Sequence, residues 1–280
     1  MFFGKEKGIR TPEFHKKMER KRRIRQILII LALAVLIGTP IYLLRTSRFL
    51  ISAVEIKGNA VTPSEKIQAI TAQDLAGNYL WIFPKSNILL YPKQKIKSDL
   101  LSQIPRLKSV DVSLSSPRSL RVSVLEREPF ALYCRDVSNP NVPAGCYFLD
   151  QSGYIFAEAP AFSNGVYSVY GSDPALESPI SSIYMSEEEF APLDPFIKSL
   201  SEAGLYPQAF TLKGDEYDLT LSNKALIKWN KDDDLEKVKS NLESFVLDPA
   251  FSQESGGLDH ILYIDLRFGN KVFYKFRDDS

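Results

Sequence analysis

From Gln26 to Leu44 the chain carries no charged side chain: QILIILALAVLIGTPIYLL. As a helix, these 19 residues rise about 28 Å at ~1.5 Å each, close to the ~30 Å hydrocarbon thickness of a bilayer. A helix pairs its backbone internally, as a spanning segment requires, and a soluble core helix is rarely apolar on every face. Residues 26–45 are therefore expected to span a membrane, with Tyr42 at the headgroup level and Arg45 and Arg48 closing the far end. A cleaved leader fits less well. The charged stretch before the run is 25 residues long, the run exceeds the usual ~7–15 apolar residues, and Leu43-Leu44-Arg45-Thr46 offers no small-residue cleavage site.

The span divides two charge regimes. Residues 1–25 hold 10 Lys/Arg against 3 Asp/Glu, whereas residues 46–280 hold 24 against 31. The cluster Lys16, Lys17, Arg20, Lys21, Arg22, Arg23 and Arg25 keeps the basic tail inside, so the N-terminus is expected to be cytoplasmic and residues 46–280 extracytoplasmic. Orientation accounts for the cluster without a nucleic-acid partner; the bilayer is the only non-protein partner expected.

Beyond the span, strand and helix signals alternate. Ile51, Ala53, Val54 and Ile56 lead into a Gly58-Asn59 turn. Thr62-Pro63-Ser64-Glu65 reads as a helix start, Thr62 as the cap and Pro63 at the first helical position, with Ile67, Ile70 and Leu75 as the buried stripe. Gly77-Asn78 ends that helix, and Tyr79 to Phe83 form an apolar connector. A second helix follows Pro92, with Ile96, Leu100, Leu101 and Ile104 on one face and Lys93, Lys95 and Lys97 opposite. The period then switches to two: Val110, Val112 and Leu114, a Ser115–Arg118 turn, then Leu120, Val122 and Val124. Further on, Tyr147–Phe156 reads as a hairpin and a helix is expected from Asp194-Pro195 to Gly204. Strands are expected at Phe210–Leu212, Tyr217–Leu221 and Ala225–Trp229, and a helix after Asp232-Asp233-Asp234 buries Leu235, Val238, Leu242, Phe245 and Val246. Two last strands, Ile261–Phe268 and Lys271–Phe276, meet at Gly269-Asn270.

This β-α-α-β-β order directly after one span, together with Val54-Glu55-Ile56-Lys57-Gly58-Asn59, Val124-Leu125-Glu126-Arg127-Glu128-Pro129, Asp150-Gln151-Ser152-Gly153 and Tyr263-Ile264-Asp265-Leu266-Arg267-Phe268, resembles the FtsQ/DivIB family of bacterial cell-division proteins. The resemblance implies an α+β, bitopic membrane protein. Its parts are a basic cytoplasmic tail (1–25), a transmembrane helix (26–45), a POTRA-like domain (46–127) and a C-terminal mixed β-sheet domain with helices (128–280). It also implies a single-pass protein of the cell (inner) membrane at the division septum, acting as a non-enzymatic scaffold. The implied partners are FtsB/DivIC-like and FtsL-like bitopic proteins, with other divisome components meeting the POTRA-like module along Val54–Asn59. The docking edge carried over from the family is the last strand: Arg267, Phe268, Asn270, Lys271, Val272, Phe273, Tyr274 and Lys275, with Arg267 facing the partner. Phe268 and Phe273 read equally well as core residues of that hairpin. Strand addition is the expected mode, because a terminal strand offers backbone donors and acceptors to an extended segment.

Nothing in the sequence marks a reaction centre. His15 lies in the tail and His260 just before a strand. The runs Glu187–Glu189 and Asp232–Asp234 suit helix openings better than cation sites, and no hydrolase, phosphate-loop or zinc motif occurs. No catalytic residue, metal or cofactor is expected. Cys134 and Cys146 flank a loop-like stretch. If the strands around them pair, the two can bridge; otherwise they are buried free thiols. Two other classes fit less well. A POTRA-bearing subunit of an export or envelope assembly complex would carry repeated modules or a large barrel, and a membrane-anchored wall hydrolase would need a nucleophile or metal cluster.

Overall fold

The computed structural model describes residues 12–137, 145–160, 166–249, 251 and 257–277. They divide into two compact units, residues 1–102 with 109–125 and residues 103–108 with 126–280. The second unit thus takes over at Glu126, within the Glu126-Arg127-Glu128 motif.

The first unit begins with α1 (Pro12–Leu44), whose stretch Met18–Leu44 is long and apolar enough to cross a membrane. Its large apolar side chains, among them Leu28, Leu31, Val35 and Ile37, are exposed, the pattern a lipid-facing helix requires. Next come β1 (Ala53–Lys57), α2 (Ser64–Leu75), β2 (Asn78–Tyr79), β3 (Phe83–Pro84), α3 (Lys93–Gln103), β4 (Leu107–Ser116) and β5 (Ser119–Glu126). The sheet runs β1-β5-β4, with β1 parallel to β5 and Val54 and Ile56 opposite Leu120 and Val122. Ile67, Ile70 and Leu75 of α2 and Ile96 and Leu100 of α3 are buried, as are Val110, Val112, Leu120, Val122 and Val124. Leu101 and Leu114 are exposed instead, outside the expected stripes. α2 also starts later than expected: Pro63 is the capping residue and has no side-chain cap. Asn59 performs the local bonding, donating its Nδ2 to Thr62 O (2.9 Å) and Ser64 Oγ (3.0 Å). Gly58 sits at φ +88°, and a Cβ there would lie 2.1 Å from Val124 O, so only glycine fits.

The second unit is built on a nine-stranded sheet. Its elements are β6 (Ala131–Cys134), β7 (Cys146–Leu149), β8 (Ile155–Glu158), β9 (Val169–Asp173), α4 (Glu187–Leu200), β10 (Pro207–Lys213), β11 (Glu216–Leu221), β12 (Leu226–Asn230), α5 (Leu235–Val246), β13 (Ile261–Phe268) and β14 (Lys271–Phe276). The strand order β14-β13-β12-β11-β10-β9-β6-β7-β8 leaves β14 and β8 as the terminal strands. Inside, Trp229 is fully buried among Phe196, Phe210 and Tyr217, with ring centroids 5.5–5.8 Å away. Such tilted and edge-on pairs add about 0.5–1.5 kcal/mol each beyond area burial.

α4 begins at Ser186, whose side chain accepts from Glu189 N (3.3 Å), and not at Asp194 as the Asp-Pro pair suggested. Pro192 and Pro195 lie inside the helix. Each proline removes the N–H that would otherwise reach the carbonyl four residues earlier, that of Glu188 or Ala191, and both of those residues are exposed, where the loss is tolerated. Glu187–Glu189 form the first turn of α4, and Asp234 caps α5, accepting from Glu236 N at 2.9 Å. Cys134 and Cys146 are directly paired across β6 and β7 and joined by a disulfide, their Cα atoms 4.1 Å apart. The seven residues 138–144 of the intervening loop fall outside the described set.

Candidate docking edge

β13 and β14 form the hairpin that ends the sheet. Phe268 pairs with Lys271 across Gly269-Asn270, and Gly269 is at φ +72°, the pattern of a type II′ turn with glycine first. Two amide side chains fix this hairpin to its neighbours. Asn230 of β12 donates to Arg267 O (3.1 Å), and Asn241 of α5 donates to Gly269 O (3.0 Å).

Arg267 is anchored within its own unit. Its Nε and Nη2 clasp both oxygens of Asp265 at 2.9 and 2.6 Å, and Nη1 reaches Glu216 Oε1 on β11 at 2.6 Å. The Arg267 hydrogen bond is the first reason the Asp265 carboxyl is held below the usual carboxylate range, and Asp265 in turn raises the guanidinium. Asp265 is only 6% exposed, so the fork is what makes its burial tolerable. Lys228 of β12 lies opposite Asp265 and bridges to Asp218 of β11 at 3.2 Å. Charges of alternating sign therefore cross three strands on one face of the sheet. The donors of Arg267, expected to face a partner, are directed at Asp265 and Glu216 within the unit, with the side chain partly exposed.

The aromatic residues divide between faces. Tyr274 packs on Phe245 and Phe251 (5.0 and 6.0 Å), and Val272 and Phe276 also pack against the core. Phe273 lies opposite Asp265, and cross-strand partners share a face, so it sits on the charged side. It meets Phe268 edge-on at 5.0 Å, and the two are 49% and 57% exposed. Of their two readings, core residue or surface residue, the structure supports the second. Lys271 and Lys275 are exposed beside them, and Asn270 lies in the turn. The hairpin thus brings all eight expected residues together. The sequence did not reveal Glu216, Asp265 and Asn241 as their supports, since each comes from a distant segment or looked like ordinary strand chemistry.

In the first unit β1 is likewise a terminal strand, and a groove of about 260 Å³ lies beside it, lined by Ile51, Ala53, Val54, Gln68, Ala72 and Leu75 among others. Near the start of the second unit, Arg127 pairs with Asp150 and stacks 3.9 Å over the Tyr154 ring. Asp150 Oδ1 accepts from Ser152 N, Ser152 Oγ and Tyr154 N at 2.7–3.1 Å, closing the turn at Gly153. Burial pushes the Asp150 carboxyl up, but Ser152, Arg127 and the backbone donors outweigh it and leave the group below its usual range. His260 is exposed at the start of β13, and among the described residues no three His, Cys, Asp or Glu side chains are gathered as a metal site.

Residues 49–127 match the family model described as POTRA domain, FtsQ-type. The chain is similar to the cell division protein FtsQ of Bartonella bacilliformis, 25% identical over 241 residues, covering 84% of this chain and 65% of that protein. It is also similar to the cell division protein DivIB of Clostridium botulinum, 22% identical over 281 residues, covering 95% of this chain and 97% of that protein.

Proposed function

We propose that this member of the FtsQ/DivIB family, an assignment its FtsQ-type POTRA domain and both division-protein relatives support, is a membrane-tethered divisome scaffold. It binds an FtsB/DivIC-like and FtsL-like partner by strand addition along β14. Residues 1–25 stay in the cytoplasm, residues 26–45 carry the span, and both folded units stand on the opposite side of the inner membrane at the septum. The observation that carries this reading is the exposed Phe268–Phe273 pair on the terminal hairpin of the sheet, set on an otherwise charged face. An incoming strand gains main-chain bonds from the edge and an apolar contact from the pair, while Lys271 and Lys275 favour an acidic segment. Other division proteins meet the β1 edge of the POTRA domain.

The scaffold needs no reacting group, and the buried ionisable groups of the second unit are used in structure. The Tyr184 hydroxyl, pushed up by burial, donates to Gly171 O at 2.7 Å. Co-purification of the full chain from membranes, comparing wild type with Phe268→Ser/Phe273→Ser, tests the edge. Both side chains are largely solvated, so the variant is expected to fold and to lose most of the FtsB/DivIC-like partner. Undiminished recovery of that partner would remove β14 as the interface.

A further inference from the structure

A second feature of the first unit is unused by the docking edge. β2 and β3 are two residues long and joined by Leu80-Trp81-Ile82, with Ile82 N donating to Tyr79 O at 3.0 Å. Leu80 and Trp81, the central residues of that Tyr79–Ile82 turn, both have positive φ, 45° and 64°, the two left-handed positions of a type I′ turn. Asn-Gly suits such a turn, because a Cβ in the left-handed region costs about 1–2 kcal/mol per residue. Here the positions hold leucine and tryptophan, 81% and 91% exposed. Local turn chemistry does not favour these side chains and the fold does not bury them. Strain kept at such a place points to use.

The base of this hairpin is fixed to the exit of the span. β3 lies against the end of α1, and the fully buried Asn87 donates its Nδ2 to Leu44 O at 2.7 Å, closing one of the carbonyls that a helix end leaves open. Leu50 bridges to Asn87, Ile51 N donates to Ser86 O (2.8 Å), and Ile88 N donates to Phe49 O (3.0 Å). The segment that follows the hairpin is thus bonded to the residues that leave the membrane. A two-residue arm and its turn reach about 10 Å, matching the ~5–10 Å depth of the headgroup–acyl boundary. Leu89 and Phe49 are also exposed nearby, and Arg45, Arg48 and Lys85 supply cations. Aromatic and basic residues at a span's end are the composition of a membrane interface.

We propose that the Leu80-Trp81 tip inserts into the headgroup–acyl boundary of the leaflet where α1 emerges, holding the POTRA domain down on the lipid. The proposal rests on residues 26–45 being membrane-embedded, and the test separates the two. The full chain is reconstituted at low density in phosphatidylcholine vesicles brominated either near the headgroup end or near the methyl end of the acyl chains. Of the two tryptophans, Trp229 is fully buried in the other unit, so lipid bromine reports on Trp81. Shallow bromines are expected to remove about half of the emission and deep bromines less. Trp81→Phe should abolish the effect, and aqueous iodide should quench wild type and Trp81→Phe alike. A chain that floats with the vesicles yet shows no bromine quenching, with Trp81 open to iodide, overturns the tip insertion alone. Iodide shielding that grows with protein density, without bromine quenching, overturns it in favour of a second copy. A chain that does not float overturns the span and the insertion together.

Discussion

A pair of proline substitutions separates strand addition from every other way of using the terminal hairpin. Arg277 N donates inward to His260 O at 2.8 Å. Both register shifts occur where β13 advances an extra residue: Ile261 to Tyr263 against Phe276 to Lys275, and Asp265 to Phe268 against Phe273 to Lys271. The alternation along β14 is therefore unbroken, and Lys271, Phe273 and Lys275 share the inward orientation of Arg277. Val272 and Phe276 turn their N–H groups away from β13. Proline at 273 deletes an inward donor and strands a carbonyl of β13, a loss of about 2 kcal/mol. At ~2–4 °C per kcal/mol for a unit of this size, the second unit's melting temperature should fall by about 4–8 °C. Proline at 272 deletes only an outward donor. Edge strands tolerate this, so the expected cost is under ~1 kcal/mol, within about 3 °C.

Binding should show the opposite order of harm for its size. An incoming strand loses one main-chain bond of about 1 kcal/mol at Val272→Pro and also meets the ring, so affinity for the FtsB/DivIC-like partner should drop about tenfold or more. Thermal unfolding followed at the buried Trp229, alongside titration of the purified partner, reads both quantities on the full chain in micelles. If Val272→Pro melts like wild type and binds like wild type, the edge is not extended by another strand and the reasoning fails.

Three further outcomes follow from the structure. Reducing the Cys134–Cys146 disulfide, whose cysteines lie 12 residues apart, should cost about 3 kcal/mol by loop entropy, or ~6–12 °C of the second unit's melting temperature; an unmoved transition with both thiols titratable would contradict it. Replacing Arg267 by Gln should destabilise the second unit at neutral pH. Because the folded Asp265 carboxyl is depressed, its contribution is present above the unfolded value near ~3.9 and is lost as pH falls through the folded value. The gap between wild type and Arg267→Gln should therefore narrow below about pH 4, and chemical denaturation at several pH values checks this. Gly58→Ala should loosen the first unit by more than ~1–2 kcal/mol, since its Cβ would collide with Val124 O at positive φ; hydrogen exchange in β1 at the wild-type rate would be the contrary result.

Much of the first unit was legible because its signals are local. The period of two in β4 and β5, the stripe Ile67, Ile70 and Leu75, and the Gly58 turn each follow from a few neighbouring residues. The second unit was harder to read. β9 has Val169, Tyr170 and Gly171 buried in a row between the parallel strands β6 and β10, so it shows no polar alternation to recognise. α4 was hidden by Pro192 and Pro195, which look like helix boundaries until their solvent-facing positions are known. The apolar connector Tyr79–Phe83 was visible as apolar. That it turns at Leu80 and Trp81, outside any core, depends on φ values no local pattern supplies.

The anchoring of Arg267 bears on how β14 would dock. A charge aimed at a partner would speed encounter and add specificity, but it would also have to be desolvated on binding. Committed to Asp265 and Glu216, and with Arg267 O and Gly269 O held by Asn230 and Asn241, the same residue fixes the turn from which β14 departs. A strand so held loses little conformational freedom when another adds to it, and lower ordering cost raises affinity without any new contact. Charge reversal at Arg267 would place a carboxylate beside Asp265 and Glu216 and disturb the fold before it tested an interface. Arg267→Lys is the sharper probe: it keeps the charge and loses the fork. Weakened partner binding in that variant beyond what its fall in stability explains, with β14 exchanging its amide hydrogens faster, would identify preorganisation as the residue's contribution. Unchanged binding would return the affinity to Phe268, Phe273 and the backbone alone.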